Sequence, residues 1–364
     1  MVMTDQEGND FTGIMRDMVK ARIEPEASDV DEWSRFPENG YRALASVGLL
    51  LLHLPEEVGG GGGGMLMSTA AIEEVARVCG STAAVIAATV QVSTALGCSA
   101  NEMARDRIGQ IASGDHVAAW VGRGITYTSE STGYSLNGRA TWVANADRAQ
   151  SLVVVADAAG DTDSGVALML VSPDQAGVRI GEIETDLGLR GCSLRSIEFN
   201  GVFVSPAGLL VDGASARAAV DSVRANHGLA VAALAVGIAQ GALDEARSYV
   251  LERIQFGRRI ADFPAIRAIL SEALVKVDSA RQLVKRAAEE VDRGVIREYT
   301  VSAALLAATE AAATVTIDAV QAFGGYGYVK DYPVERMMRD AHLARLLIGS
   351  RAERLELVAS QFLA

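Results

Sequence analysis

The stretch Gln321-Ala-Phe-Gly-Gly-Tyr-Gly-Tyr-Val-Lys-Asp-Tyr-Pro-Val-Glu-Arg-Met-Met-Arg-Asp340 ends an Ala-rich, helix-forming segment at the glycine pair Gly324 and Gly325. Backbone without a Cβ takes positive φ easily and can lie close to a ligand such as a polyphosphate. Gly325-Tyr-Gly327 is followed by Tyr-Val-Lys, with no third glycine and no preceding strand pattern, so this is not a Rossmann dinucleotide fingerprint. A glycine C-cap followed by a proline stop is the purely structural alternative.

Outward from this stretch the chain has three textures. From Phe11 to about Ser113 the apolar residues recur at helical spacing, interrupted by Pro55 and the run Gly59 to Gly64, which reads as a flexible low-complexity connector. From His116 to about Asp212 the pattern changes to short strands, Leu152–Ala156, Val166–Val171, Val178–Ile180 and Ser196–Phe199, separated by Gly, Asp and Pro. From Ala214 onward long amphipathic segments return, as in a helical bundle. The expected class is α+β, mostly α, with a helical domain over 1–115, a small β domain over 116–212 and a helical bundle over 213–364.

Composition narrows the functional classes. The 364-residue chain is 49% hydrophobic, enough to bury a large core, and its net charge of −13 argues against a nucleic-acid partner. Cys79, Cys98 and Cys192 are odd in number and widely spaced, so they predict buried free thiols rather than disulfides or a metal site. The polar, acidic N-terminus lacks the pattern of a secretory signal and predicts a cytoplasmic location. The apolar run Leu229–Ala239 is shorter than the roughly 18 residues of a membrane span, and predicts a buried helix with no membrane partner.

Read together, Gln321-x-x-Gly-Gly-x-Gly-Tyr, Tyr332-Pro-Val-Glu-Arg336 and Arg339-Asp-Ala341 resemble the closing signature of the acyl-CoA dehydrogenase family. Ala242-Leu-Asp-Glu-Ala-Arg-Ser-Tyr249 and Glu252-Arg-Ile-Gln-Phe-Gly257 resemble the family's helix ending in Arg-x-x-Phe-Gly. Gly188-Leu-Arg-Gly191, Leu136–Asn145 and Leu54-Pro-Glu-Glu-Val-Gly-Gly60 extend the resemblance over nearly the whole chain.

The resemblance implies an N-terminal helical domain, a central β-barrel-like domain and a C-terminal four-helix bundle. It also implies a dimer of dimers in which FAD lies between the β domain of one subunit and the bundle of its neighbour. By the same resemblance Arg253 contacts the flavin pyrophosphate, a task suited to a guanidinium fork, and Gln255, Phe256, Gln321, Gly324 and Gly325 line the adenosine end. The structural alternatives are a solvated charge for Arg253 and a core aromatic for Phe256. Phe263-Pro264 stands where many relatives carry a His-Gln pair.

The β-domain half departs further. Relatives carry a Thr-Glu-Pro-x-Ala-Gly-Ser-Asp-like loop around the flavin and the thioester, whereas here Ala118–Tyr127 runs almost directly into Thr132–Gly138. Trp142 remains at the place of a flavin-contacting tryptophan, with core packing in a strand as its alternative, and Ala144 replaces the usual hydroxyl residue. The family's catalytic glutamate usually stands at the place of Ile348, in Leu347-Ile-Gly-Ser350. A minority of members carry it on an earlier helix, here at His227 or Gly228 of Arg224-Ala-Asn-His-Gly228. No catalytic residue is therefore assigned, and His227 is left as a candidate base.

Three readings follow. The first is a non-catalytic subunit of a heteromeric acyl-CoA dehydrogenase, similar to actinobacterial α2β2 enzymes of steroid side-chain degradation. In it FAD is shared with a second dehydrogenase-like chain that supplies the glutamate for an acyl-CoA substrate. The second is a self-sufficient FAD enzyme with an unconventional base such as His227. The third is a structural or interaction protein on the same scaffold.

Overall fold

The computed structural model describes residues 5–160, 165–184 and 186–363. Six helices open the chain: α1 (Asp5–Arg22), α2 (Ala27–Glu32), α3 (Glu38–Ser46), α4 (Gly64–Ala76), α5 (Gly80–Gly97) and α6 (Glu102–Ala112). Eight strands follow: β1 (Ala118–Val121), β2 (Ile125–Glu130), β3 (Gly133–Ala144), β4 (Ser151–Ala158), β5 (Val166–Val171), β6 (Val178–Ile183), β7 (Leu194–Val204) and β8 (Leu209–Asp212). The C-terminal part holds α7 (Gly213–Glu252), the two-residue strands β9 (Ile254–Gln255) and β10 (Arg258–Arg259), α8 (Pro264–Asp292), α9 (Glu298–Phe323), α10 (Val334–Ala344) and α11 (Arg351–Phe362).

The eight strands form one sheet in the order β6-β7-β3-β2-β4-β5-β8, with β1 pairing alongside β4. Strand β4 explains why Leu152–Ala156 is continuously apolar. Leu152, Val154 and Ala156 join the β domain's own core, while Val153 and Val155 face the helical core. A strand covered on both faces has no polar side to alternate with. Thus two cores meet across the sheet, and helices α5 and α7 pack on its outer face.

Small residues let the long helices approach. A Cβ on Gly237 would lie 2.3 Å from the Glu73 carbonyl oxygen, and one on Gly241 would lie 2.1 Å from that of Arg77, so α7 crosses α4 at near-backbone contact. Among the described residues, three helices are apolar and long enough to span a membrane. Their apolar windows are 89%, 83% and 67% buried inside the fold, which accounts for the hydrophobicity without a bilayer.

The Gly59–Gly64 run is an ordered piece of structure rather than a flexible connector. The amides of Gly61, Gly62 and Gly63 donate to the carbonyls of Leu51, Leu54 and Leu52 at 2.8–3.0 Å. At its end, Asp292 of α8 accepts from the amides of Met65 (2.6 Å) and Leu66 (2.9 Å), capping the start of α4 from the C-terminal bundle. Side chains at Gly60, Gly61, Gly63 and Gly64 would strike Leu52, Leu54 or Asp292, which glycine avoids. Of the cysteines, Cys79 and Cys192 are buried free thiols, but Cys98 is exposed at the end of α5, a correction to the expectation of three buried thiols.

A second tie joins all three parts. Arg339 of α10 clamps Asp31 of the N-terminal domain through two bonds, Nη1–Oδ1 at 2.9 Å and Nη2–Oδ2 at 2.6 Å, and also bonds Glu335. Its neighbour Asp340 accepts from the Leu189 amide at 2.5 Å, in the connection between β6 and β7. Leu189 has φ 49°, and a Cβ on Gly188 would lie 2.4 Å from the Arg339 backbone. Hence Gly188-Leu-Arg-Gly191 and Arg339-Asp-Ala341, distant in sequence, form one contact.

Candidate functional site

Helix α7 ends in an aromatic cluster that gathers the C-terminal candidates. Tyr249 stacks on Phe323 at 4.1 Å between ring centroids, and Tyr332 meets both edge-on at 5.8 and 5.1 Å. Tyr326 leans on the cluster, and the Arg253 guanidinium lies 5.2 Å from its ring centroid. The ends of α7 and α9 are thereby held together, bringing Arg253 beside the glycine pair.

Beyond Arg253 the chain turns through the β9–β10 hairpin, with Phe256 (φ 52°) and Gly257 (φ 78°) at its tip. Phe256 is 92% exposed, which excludes the core-aromatic alternative. Gln255, Gln321, Gly324 and Gly325 are exposed as well. Gly324 has φ 61°, and a Cβ at either glycine would meet nothing within 4 Å, so this backbone faces open space. Among the described residues the Arg253 side chain makes the aromatic contact with Tyr326 and no ion pair. A guanidinium with free donors next to exposed backbone and an exposed aromatic suits an anionic nucleotide. Nearby, Phe263 carries Arg258 over its ring at 3.9 Å and Pro264 begins α8, so the place of the family's His-Gln pair is apolar here.

The β-domain half is closed by its own backbone. Strand β1 pairs in parallel with Ser151–Val154 of β4, and β2 pairs in parallel with Asp157 and Ala158 further along the same strand. The two therefore run in line, separated only by Gly122-Arg-Gly124. A Cβ on Gly124 would lie 2.4 Å from the Arg139 carbonyl oxygen, and one on Gly122 would lie 2.5 Å from Trp120 Nε1. Three exposed residues, with the two glycines lying close to Trp120 and Arg139, occupy the place where a ligand-embracing loop would leave the sheet.

Trp142 sits in an irregularity of β3 between Ala140 and Val143, with φ 60°, and it is 48% exposed. Its ring is not core packing. A bulky residue in the left-handed region is a strained arrangement of the kind that accumulates at functional sites. The structure places Trp142 on β3 of the sheet and Arg253 and Gln321 at the ends of the helices α7 and α9.

Neither place for a catalytic carboxylate holds one. Ile348 lies part-buried in the turn between α10 and α11. On α7, a Cβ at Gly228 would already lie 2.8 Å from Val301 Cγ1, leaving no room for a longer side chain. His227 is 8% exposed, and burial, with the nearby Arg354 charge adding to it, pushes its pKa down to about 4. An imidazole that holds a proton only in acid is a weak base at neutrality.

Sequence reasoning missed Arg354, whose side chain donates to the Ile348 carbonyl oxygen from Nε (3.0 Å) and Nη2 (2.6 Å). It also missed Tyr326 as the platform for Arg253. The available signal was the pair Arg351 and Arg354 immediately after Ile348-Gly-Ser350.

The helical domain, sheet and bundle, with an exposed hairpin suited to an anionic nucleotide at the end of α7, define a three-domain scaffold of helices, sheet and helices. Comparison with known families agrees. The N-terminal, middle and C-terminal domain families of acyl-CoA dehydrogenase match residues 5–115, 119–202 and 220–363. A short-chain specific acyl-CoA dehydrogenase of Clostridium acetobutylicum is 32% identical over 93% of each chain. A probable acyl-CoA dehydrogenase of Mycobacterium tuberculosis, FadE25, is 33% identical, covering 95% of this chain and 92% of its own. The structure of butyryl-CoA dehydrogenase from Megasphaera elsdenii superposes over all of both chains with a TM-score of 0.92 and 25% identity. The chain belongs to the acyl-CoA dehydrogenase family.

Proposed function

We propose that this chain is a subunit of a heteromeric enzyme that dehydrogenates an acyl-CoA thioester between its α and β carbons, and that it contributes half of an FAD site while a second dehydrogenase-like chain supplies the catalytic glutamate. One observation carries the reading: half-buried Arg253, without an ion pair among the described residues, leads into an exposed hairpin beside the open Gly324-Gly325 turn, while the place of the base is filled by Ile348 and Gly228. These residues would hold FAD, which would supply the hydride acceptor for such chemistry. Arg253 would neutralise pyrophosphate charge, and Gln255, Phe256 and Gln321 would line the adenosine end, with Gly324 and Gly325 leaving the backbone accessible. Trp142 would offer an apolar wall, but a three-residue turn at Gly122–Gly124 stands where relatives carry a longer loop around the thioester. A steroid side chain as acyl group rests on resemblance to heteromeric relatives alone.

The test is flavin content. The isolated chain is expected to carry little flavin and to leave acyl-CoA unchanged, and co-expression with a second family member bearing the loop and the glutamate is expected to restore both. In that complex, Arg253→Ala lowers flavin retention, whereas His227→Ala leaves turnover within about twofold, since a general base contributes roughly 100-fold or more where one acts. Full flavin occupancy with turnover by the isolated chain overturns the proposal.

A further inference from the structure

At the place where relatives carry their base, this chain assembles guanidinium groups. A small cavity of about 20 Å³ is lined by Leu305 and Leu306 of α9, Ile348, and Arg345, Arg351 and Arg354 around the turn between α10 and α11. Such a volume takes one water-sized polar atom, such as a carboxylate oxygen, while an acyl chain stays outside it. Its one carboxylate, Glu310, is already shared: Oε1 takes Arg345 at 2.8 Å and Arg351 at 3.1 Å. Arg354 has no such partner. Among the described residues it forms no ion pair and donates to a single protein acceptor, the Ile348 carbonyl oxygen.

A guanidinium has five N–H donors in a fixed fork, and one carbonyl leaves most of them unused. Burial, then the Arg224 charge, depress the Arg354 pKa below the usual arginine range, with Arg123 acting the same way. The two acidic residues near it are committed elsewhere. Glu298 pairs with Arg224 at 3.3 Å, and Glu353 closes the capping box at the start of α11 by accepting from the Ser350 amide at 2.7 Å. His227, held neutral by burial, adds no compensating negative charge.

We infer that Arg354, with Arg345 and Arg351 at the cavity rim, forms a site for a carboxylate, so that the chain takes an acyl group bearing its own carboxylate or the corresponding free acid. A bidentate carboxylate matches the geometry of the unused fork and offsets the clustered positive charge. This deepens the acyl-thioester reading proposed above and rests on it for the thioester source alone. The free-acid source stands without flavin or partner.

The experiment titrates the full chain calorimetrically with succinyl-CoA, butyryl-CoA and succinate. Succinyl-CoA is expected to bind at least about tenfold tighter than butyryl-CoA, and Arg354→Gln is expected to erase that difference; Arg354→Lys keeps the charge, loses the fork and retains part of it. Binding of succinate without either thioester assigns the free acid and sinks the thioester reading, not the site. Equal affinity for the two thioesters with no succinate binding, or a preference unchanged in Arg354→Gln, overturns the inference. Should Arg354→Gln fail to fold, the Lys variant decides: a preference identical to the parent protein counts against the site.

Discussion

At the scale of single residues, Ile348 and Arg354 define what this chain cannot do and what it offers instead. An aliphatic residue at 348 was readable in the sequence, but the guanidinium bonded to its carbonyl was not. That bond depends on the turn between two helices, which no linear pattern specifies. Restoring a carboxylate therefore should not restore an enzyme. Ile348→Glu places an acid next to Arg354, where the two pair, while β1 and β2 remain joined by only the three-residue turn at Gly122–Gly124. The expected result is a folded protein with no acyl-CoA turnover in the flavin-reduction assay. Turnover by the isolated variant would show that the rest of the site is intact and that the half-site reading is wrong.

At the scale of elements, the glycine run before α4 shows how a low-complexity stretch conceals structure. Composition alone suggests flexibility, since Gly59 to Gly64 carry no side chains to pack. Their amides nevertheless bond back to Leu51, Leu52 and Leu54, and the helix they enter is capped by Asp292, 227 residues away. Asp292→Ala removes two acceptors from the exposed end of α4 and is expected to lower stability by about 1–2 kcal/mol, whereas Asp292→Asn, which keeps an acceptor, loses less. Chemical denaturation measures both. An unchanged midpoint for the Ala variant would mean that the cap contributes nothing. The aromatic cluster behaves in the opposite way. Tyr249, Phe323, Tyr326 and Tyr332 all lie in the motifs that signalled the family, and the structure shows that their shared task is to bring Arg253 to the glycine turn.

At the scale of the whole molecule, the Asp31–Arg339 pair and Asp340 join three domains through a few buried charges. Burial pushes the Asp340 carboxyl up to about 6, against the lowering effect of the Leu189 amide and nearby arginines. An acid whose pKa is raised on folding favours the folded state fully below its unfolded pKa, near 4, and loses that contribution as pH rises through 6. The loss is of the order of 3 kcal/mol at most. His53, at about 3, and His116 and His227, at about 4, act with the opposite sign, since neutral buried imidazoles resist protonation as pH falls below 6.5. These histidines are present in both proteins, so subtracting the pH–stability curve of Asp340→Asn from that of the parent isolates the carboxyl. The Asn variant is expected to gain relative to the parent between pH 4 and pH 7 (a window on the order of these pKa values). A difference curve flat across that window removes Asp340 from the account.

The sequence by itself determined the layering, because helical periodicity, the apolar run of β4 and the breakers between strands are local consequences of burial. It also showed the missing carboxylate at Ile348 and the short β1–β2 connection, since these are matters of residue type and length. The tertiary structure alone decided that Phe256 and Trp142 face outward, that Gly228 has no room for a side chain, that Asp292 caps a helix in another domain and that Arg354 bonds the Ile348 carbonyl with no ion pair among the described residues. Each of these depends on which distant backbone or charge lies within a few ångströms, and chain separation carries no record of that until the cores have packed.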